Sequence, residues 1–156
     1  MAAIRPDDWN LPLFLHLLGA MVTVGALVTA AYYLFAARRT GSLDMVRTGF
    51  RTLLWVALPA FVVLRVAAQW LLDKEGLEDS EDAWIGIGFT ATDIGVLFLI
   101  IATVLTGLAV RRAGRAQAGA QAPGTVGTGT TVAAWLTGVL IVAYTVAIWA
   151  MATKPV

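Results

Sequence analysis

Hydropathy divides the chain into four long apolar stretches joined by short polar connections. The stretches cover residues 11–37, 52–72, 85–110 and 131–152. Each matches or exceeds the ~20 residues that cross a hydrocarbon core of about 30 Å. The first is longer than the apolar part of a signal peptide, and Asp7 and Asp8 precede it where a basic segment would stand. It is therefore expected to be a retained helix. The pattern predicts an all-α integral membrane four-helix bundle with short loops. No connection is long enough for a separate soluble domain, so residues 1–156 form one transmembrane domain.

Charge adds the orientation. Arg38, Arg39, Arg47 and Arg51 occupy the first connection, and Arg111, Arg112 and Arg115 open the third. By the positive-inside rule both face the cytoplasm. The second connection, DKEGLEDSEDAW, carries Asp73, Glu75, Glu78, Asp79, Glu81 and Asp82 against Lys74, and so lies outside with both termini. Tryptophan and tyrosine, which favour membrane interfaces, agree with this. Trp9, Trp70, Trp84 and Trp149 fall at outer ends, and Tyr32, Tyr33, Trp55 and Trp135 at inner ends. The expected setting is a multi-pass protein, N-out and C-out, in a bacterial inner membrane.

Composition narrows the chemistry. The chain is 59% hydrophobic and 13% charged, half the roughly 25% charge usual in soluble domains. It contains no cysteine, which removes disulfides, thiolate metal sites and thiol catalysis. Residues 113–130, rich in Gly, Ala and Thr, lack apolar periodicity and are expected to be a flexible cytoplasmic linker. The acidic run lacks the loop pattern of a calcium-binding EF-hand and reads as a solvated topology signal. Gly86, Gly88 and Gly95 suggest close packing or an irregular start of the third span, rather than a phosphate loop.

Polar side chains inside the spans are few, and their depths coincide. Arg65 lies eight residues before Asp73, and Asp93 nine residues after Trp84. At ~1.5 Å per residue both sit about 12 to 14 Å below the outer helix ends. His16, the one histidine, sits at ~10 Å and Tyr144 at ~12 Å by the same rise. An intramembrane ionisable group is costly and marks a functional site by default. Arg65 stays protonated and needs an acceptor, for which Asp93 is the natural partner, with Gln69 one turn above on the same face. A buried Arg65–Asp93 salt bridge is expected, with His16 donating to Asp93 or accepting from Tyr144. Residues 16, 19, 20, 23, 26 and 30 form a stripe of small residues around His16, which aims it into the bundle. Pro59 is expected to bend the second helix just before Arg65.

The segment LHLLGAMVTVGAL resembles the first helix of small bacterial membrane proteins related to the copper-resistance protein D group and the HemJ-type protoporphyrinogen oxidases. His16, Gly19 and Gly25 match that pattern, and Thr23 stands where tryptophan is common. The resemblance implies a haem-associated role with His16 as axial ligand. With no second histidine, a bis-histidine site would need two chains meeting at His16. A copper site has less support, because Met1, Met21, Met45 and Met151 are not grouped with His16 along the chain.

Three functional readings stand. The first is a non-enzymatic accessory or assembly subunit, in which His16, Arg65, Gln69, Asp93 and Tyr144 organise an outward-facing polar cluster. The second is a membrane protein that binds or moves a proton or small ligand through the same residues. The third is a haem-linked oxidoreductase. Expected partners are the lipid bilayer and a larger membrane complex or a homo-oligomer, with no nucleic acid.

Overall fold

The computed structural model describes residues 10–76, 83–118 and 127–153. These form α1 (Asn10–Thr40), α2 (Leu43–Thr52), a π-helical turn (Leu53–Ala57), α3 (Leu58–Glu75), α4 (Ala83–Ala118) and α5 (Thr128–Thr153). No strand occurs among the described residues. Because α2, the π turn and α3 run on from one another, four helical rods are long and apolar enough to cross a membrane. The shortest, α5, has 26 residues. At ~1.5 Å per residue it exceeds a hydrocarbon thickness of about 30 Å.

The four rods match the four apolar stretches, but the polar connections turn out differently. Residues 43–52, expected to be loop, form a strongly amphipathic helix that packs back on α1 through Val46 and Gly49. Gly41, at φ 70°, ends α1, its N–H donating to the Ala37 carbonyl at 2.8 Å. Ser42 then caps α2, its hydroxyl accepting from the Met45 N–H at 3.5 Å. A left-handed glycine followed by an N-capping serine reverses the chain within two residues. At the other end of the second rod, Gly76 at φ 65° terminates α3, so Asp73 and Glu75 are helical rather than loop residues.

The expected linker is also shorter. Helix α4 continues to Ala118 and α5 begins at Thr128, so residues 113–118 and 128–130 are helical, while residues 119–126 lie outside the described part. Ala113 is buried, which gives the extension a packed anchor. The acidic residues Glu78, Asp79, Glu81 and Asp82, and Trp9, also lie outside the described part.

At Pro59, where a bend is expected, the second rod carries a π turn over Leu53–Ala57. With no N–H to return to the Trp55 carbonyl and a ring that crowds it, proline disrupts the helical ladder. The preceding segment widens instead, the Leu58 N–H donating five residues back to Leu53.

Small residues set the packing. Ala26, Ala30, Ala102, Ala133 and Ala134 share the core with Leu27, Leu34, Leu53, Leu99 and Leu140, all nearly inaccessible. Two helix backbones approach closely at Gly19, where a Cβ would lie 2.8 Å from the Leu64 Cα and N. Helix α1 thereby packs on α3 along one side and on α5 along the other, and α4 packs on α5. Phe50 of α2 seats against Gly107, tying α2 to α4. Helices α3 and α4 touch little, leaving a seam open between them toward the acidic end. The outer faces are apolar, with Met21 and Trp55 each 73% exposed. Such a surface suits lipid rather than water.

Candidate functional site

The open seam leads to a cavity of about 360 Å³ between α1, α3, α4 and α5, near the acidic end. Its walls are mostly apolar, with Leu13, Leu64 and Ile148 among them, and Phe89 and Trp84 add aromatic surface. Three of the five anticipated site residues line it: His16 from α1, Arg65 from α3 and Tyr144 from α5. Thr23 of α1 lines it as well.

Local packing aims these groups inward. The small-residue stripe of α1 is buried at Gly19, Thr23, Ala26 and Ala30, while Leu17, Met21 and Val28 are exposed. His16, one turn from Gly19, is carried to the cavity wall that Leu64 of α3 also lines. Tyr144 fits because α4 has glycine opposite it. A Cβ at Gly95 would lie 2.7 Å from the phenolic oxygen. Gly88 plays a similar role for the methyl group of Met151, which also lines the cavity. Both glycines are therefore packing residues, and α4 is regular from Ala83.

The anticipated Arg65–Asp93 pair forms, with Nη2 to Oδ1 at 3.4 Å, but it is not buried. The Arg65 side chain is 31% exposed and that of Asp93 61%. Matched depth brought the two together, while the sparse contact between α3 and α4 leaves them in the open seam. Arg65 also donates to Gln69 Oε1 at 3.4 Å, and Gln69 donates to Asp73 Oδ1 at 3.4 Å. The guanidinium lies 4.4 Å from the centre of the Phe89 ring, a cation–π contact. The result is a polar ladder, Asp73–Gln69–Arg65–Asp93, along the rim.

The expected links from His16 to Asp93 or Tyr144 do not form. His16 Nδ1, Thr23 Oγ1 and Tyr144 Oη are inaccessible and have no hydrogen-bond partner. An unpaired buried polar group costs about 1–3 kcal/mol, so three around one cavity are a substantial local deficit. Away from the cavity, Thr130 Oγ1 at the start of α5 is likewise buried without a partner, but three other buried threonines are bonded. Thr103 and Thr137 donate to the carbonyls of Leu99 and Ala133 at 2.7 and 2.8 Å, and Thr106 donates to Ala102. Such bonds satisfy the hydroxyl within its own helix.

A wider groove of about 600 Å³ runs between α4 and α5, with Thr90 the one polar side chain in its lining. It is shallow and contains none of the three unpaired groups. Among the described residues no group of three His, Asp or Glu side chains gathers as a metal site, and His16 has Met151 as its one sulfur neighbour in the cavity lining. Comparison with family models, curated proteins and solved structures finds no match. The resemblance of the first helix therefore receives no support from those comparisons.

Thr23, Phe89 and Met151 are cavity residues beyond the polar cluster expected from sequence. Phe89 had a legible signal, being four residues before Asp93 on the same helix face. The unpaired state of Thr23 had none, because it depends on which helices surround it.

Proposed function

We propose that this chain is a multi-pass membrane protein of the bacterial inner membrane, with both termini outside, that binds one small amphiphilic molecule in its outer-leaflet cavity. It acts as a non-enzymatic binding or accessory protein. The observation that carries this reading is the set of three buried, unpaired polar groups around one largely apolar cavity. A clasp that served packing alone would pair its own members, since unpaired buried groups destabilise. A ligand that enters from the bilayer through the α3–α4 seam satisfies them and covers the apolar walls.

Binding fits better than proton or ion passage, because Thr103, Thr106 and Thr137 beyond the cavity are bonded to their own helices. The arginines of the first and third connections lie at the opposite end from the cavity, which supports its placement in the outer leaflet.

Native mass spectrometry of the protein released from mild detergent tests this. A one-to-one adduct is expected in the wild type and lost in Ala68→Phe, which fills the cavity from α3. Absence of any adduct in both proteins, or its retention in a correctly folded Ala68→Phe, overturns the reading.

A further inference from the structure

The lining of the cavity restricts the chemistry of its occupant. Its charged side chains are Arg65 and Glu75, which cancel. Arg65 is already held by Asp93, Gln69 and the Phe89 ring. An anionic head would find no uncommitted cation there, and a cationic head would sit beside a guanidinium. The occupant is therefore neutral.

The unpaired atoms specify its hydrogen bonding. The hydroxyls of Tyr144 and Thr23 each have a proton to donate. Nδ1 of His16 has no hydrogen-bond partner. In the neutral imidazole with its proton on Nε2, Nδ1 presents a lone pair toward the cavity. Helices α1 and α5 thus offer two donors and one acceptor, which a head bearing O–H groups on a ring satisfies at once. Phe89 and Trp84 add flat aromatic wall. Apolar walls and a seam open along the rod extend this to a head carried on a hydrocarbon tail.

Resting on the amphiphile-binding reading above, we propose that the cavity holds the ring of a lipid-soluble quinol. One quinol hydroxyl donates to His16 Nδ1, and the ring oxygens accept from Tyr144 and Thr23. The oxidised quinone retains the acceptor oxygens but loses the proton for His16, so the site distinguishes the two states and favours the reduced one.

Titration of the nanodisc-embedded protein under argon, read by tryptophan fluorescence through Trp84, tests this with four probes. They are decylubiquinol, decylubiquinone, dioctanoylglycerol and decylbenzene. Decylubiquinol is expected to bind saturably and at least about tenfold more tightly than decylubiquinone. Tyr144→Phe should weaken both by about tenfold, and His16→Leu should erase the difference between them. Should His16→Leu fail to fold, Thr23→Val provides the second variant and is expected to weaken both forms. Equal binding of decylubiquinol and decylbenzene overturns the quinol assignment but leaves the amphiphile cavity standing, and dioctanoylglycerol binding as tightly as decylubiquinol does the same. If no probe binds saturably, or if Ala68→Phe binds all four as the wild type does, the cavity reading falls as well.

Discussion

Replacing Gly19 with alanine tests how α1 and α3 are held together. A Cβ there would stand 2.8 Å from the Cα and N of Leu64, atoms of a helix backbone that cannot rotate away. Restoring an ordinary contact of 3.4 Å requires the two helices to part by about 0.6 Å. A radial gap of about 0.5–1 Å forfeits a quarter to a half of the dispersion energy of the contacts around it. Overpacking of this kind costs about 1–3 kcal/mol. Alanine also has a helix propensity advantage over glycine of about 0.8–1.0 kcal/mol, which partly masks the loss. Gly138 of α5 supplies the control, since a Cβ there meets nothing within 4 Å. The propensity gain is common to both variants, so the difference between Gly19→Ala and Gly138→Ala isolates the overlap. Unfolding in sodium dodecyl sulfate mixed micelles, followed by far-ultraviolet circular dichroism, should place Gly19→Ala below Gly138→Ala by about 1–3 kcal/mol. Equal stabilities would refute the contact between Gly19 and Leu64, and with it the route by which His16 reaches the wall of the cavity.

Further outcomes follow from neighbouring contacts. Gly95→Ala should destabilise the protein by about 1–3 kcal/mol through overlap with the Tyr144 hydroxyl, and adding Tyr144→Phe should recover much of the loss, as the same unfolding assay would show. Each single exchange, Arg65→Asp or Asp93→Arg, should lower the yield of folded protein, and the double exchange should restore part of it with a coupling of about 1 kcal/mol. A double variant no better than the singles would mean that Gln69 and Phe89, rather than Asp93, hold Arg65.

The parts legible in the sequence are those that a local residue pattern carries. Apolar length gave the four rods, and the small-residue stripe on α1 gave its buried face. Depth counted along each helix brought His16, Arg65 and Tyr144 to one cavity and Arg65 to Asp93. Helix α2 was hidden because its arginines and Asp44 made an amphipathic helix resemble a loop, although Gly41 and Ser42 mark its boundary. The burial of the ion pair was overestimated because depth does not say which helices adjoin. That depends on Gly19, Gly95 and Gly107, whose contacts exist only once the helices are arranged in space. For the same reason, the sequence could place Tyr144 inside a helix but could not show that its hydroxyl lacks a partner.

Whether the polar groups of the cavity serve a ligand or the packing of the bundle is tested most directly at Tyr144. The measurement is the unfolding free energy of Tyr144→Phe against the wild type, both stripped of co-purified lipid. A hydroxyl kept for a ligand is a liability in the empty protein, so its removal should raise stability by up to about 1–3 kcal/mol. A hydroxyl that clasps the helices would instead be missed, and a Tyr144→Phe protein less stable than the wild type by 1 kcal/mol or more, roughly the worth of one hydrogen bond, would contradict the ligand-site reading.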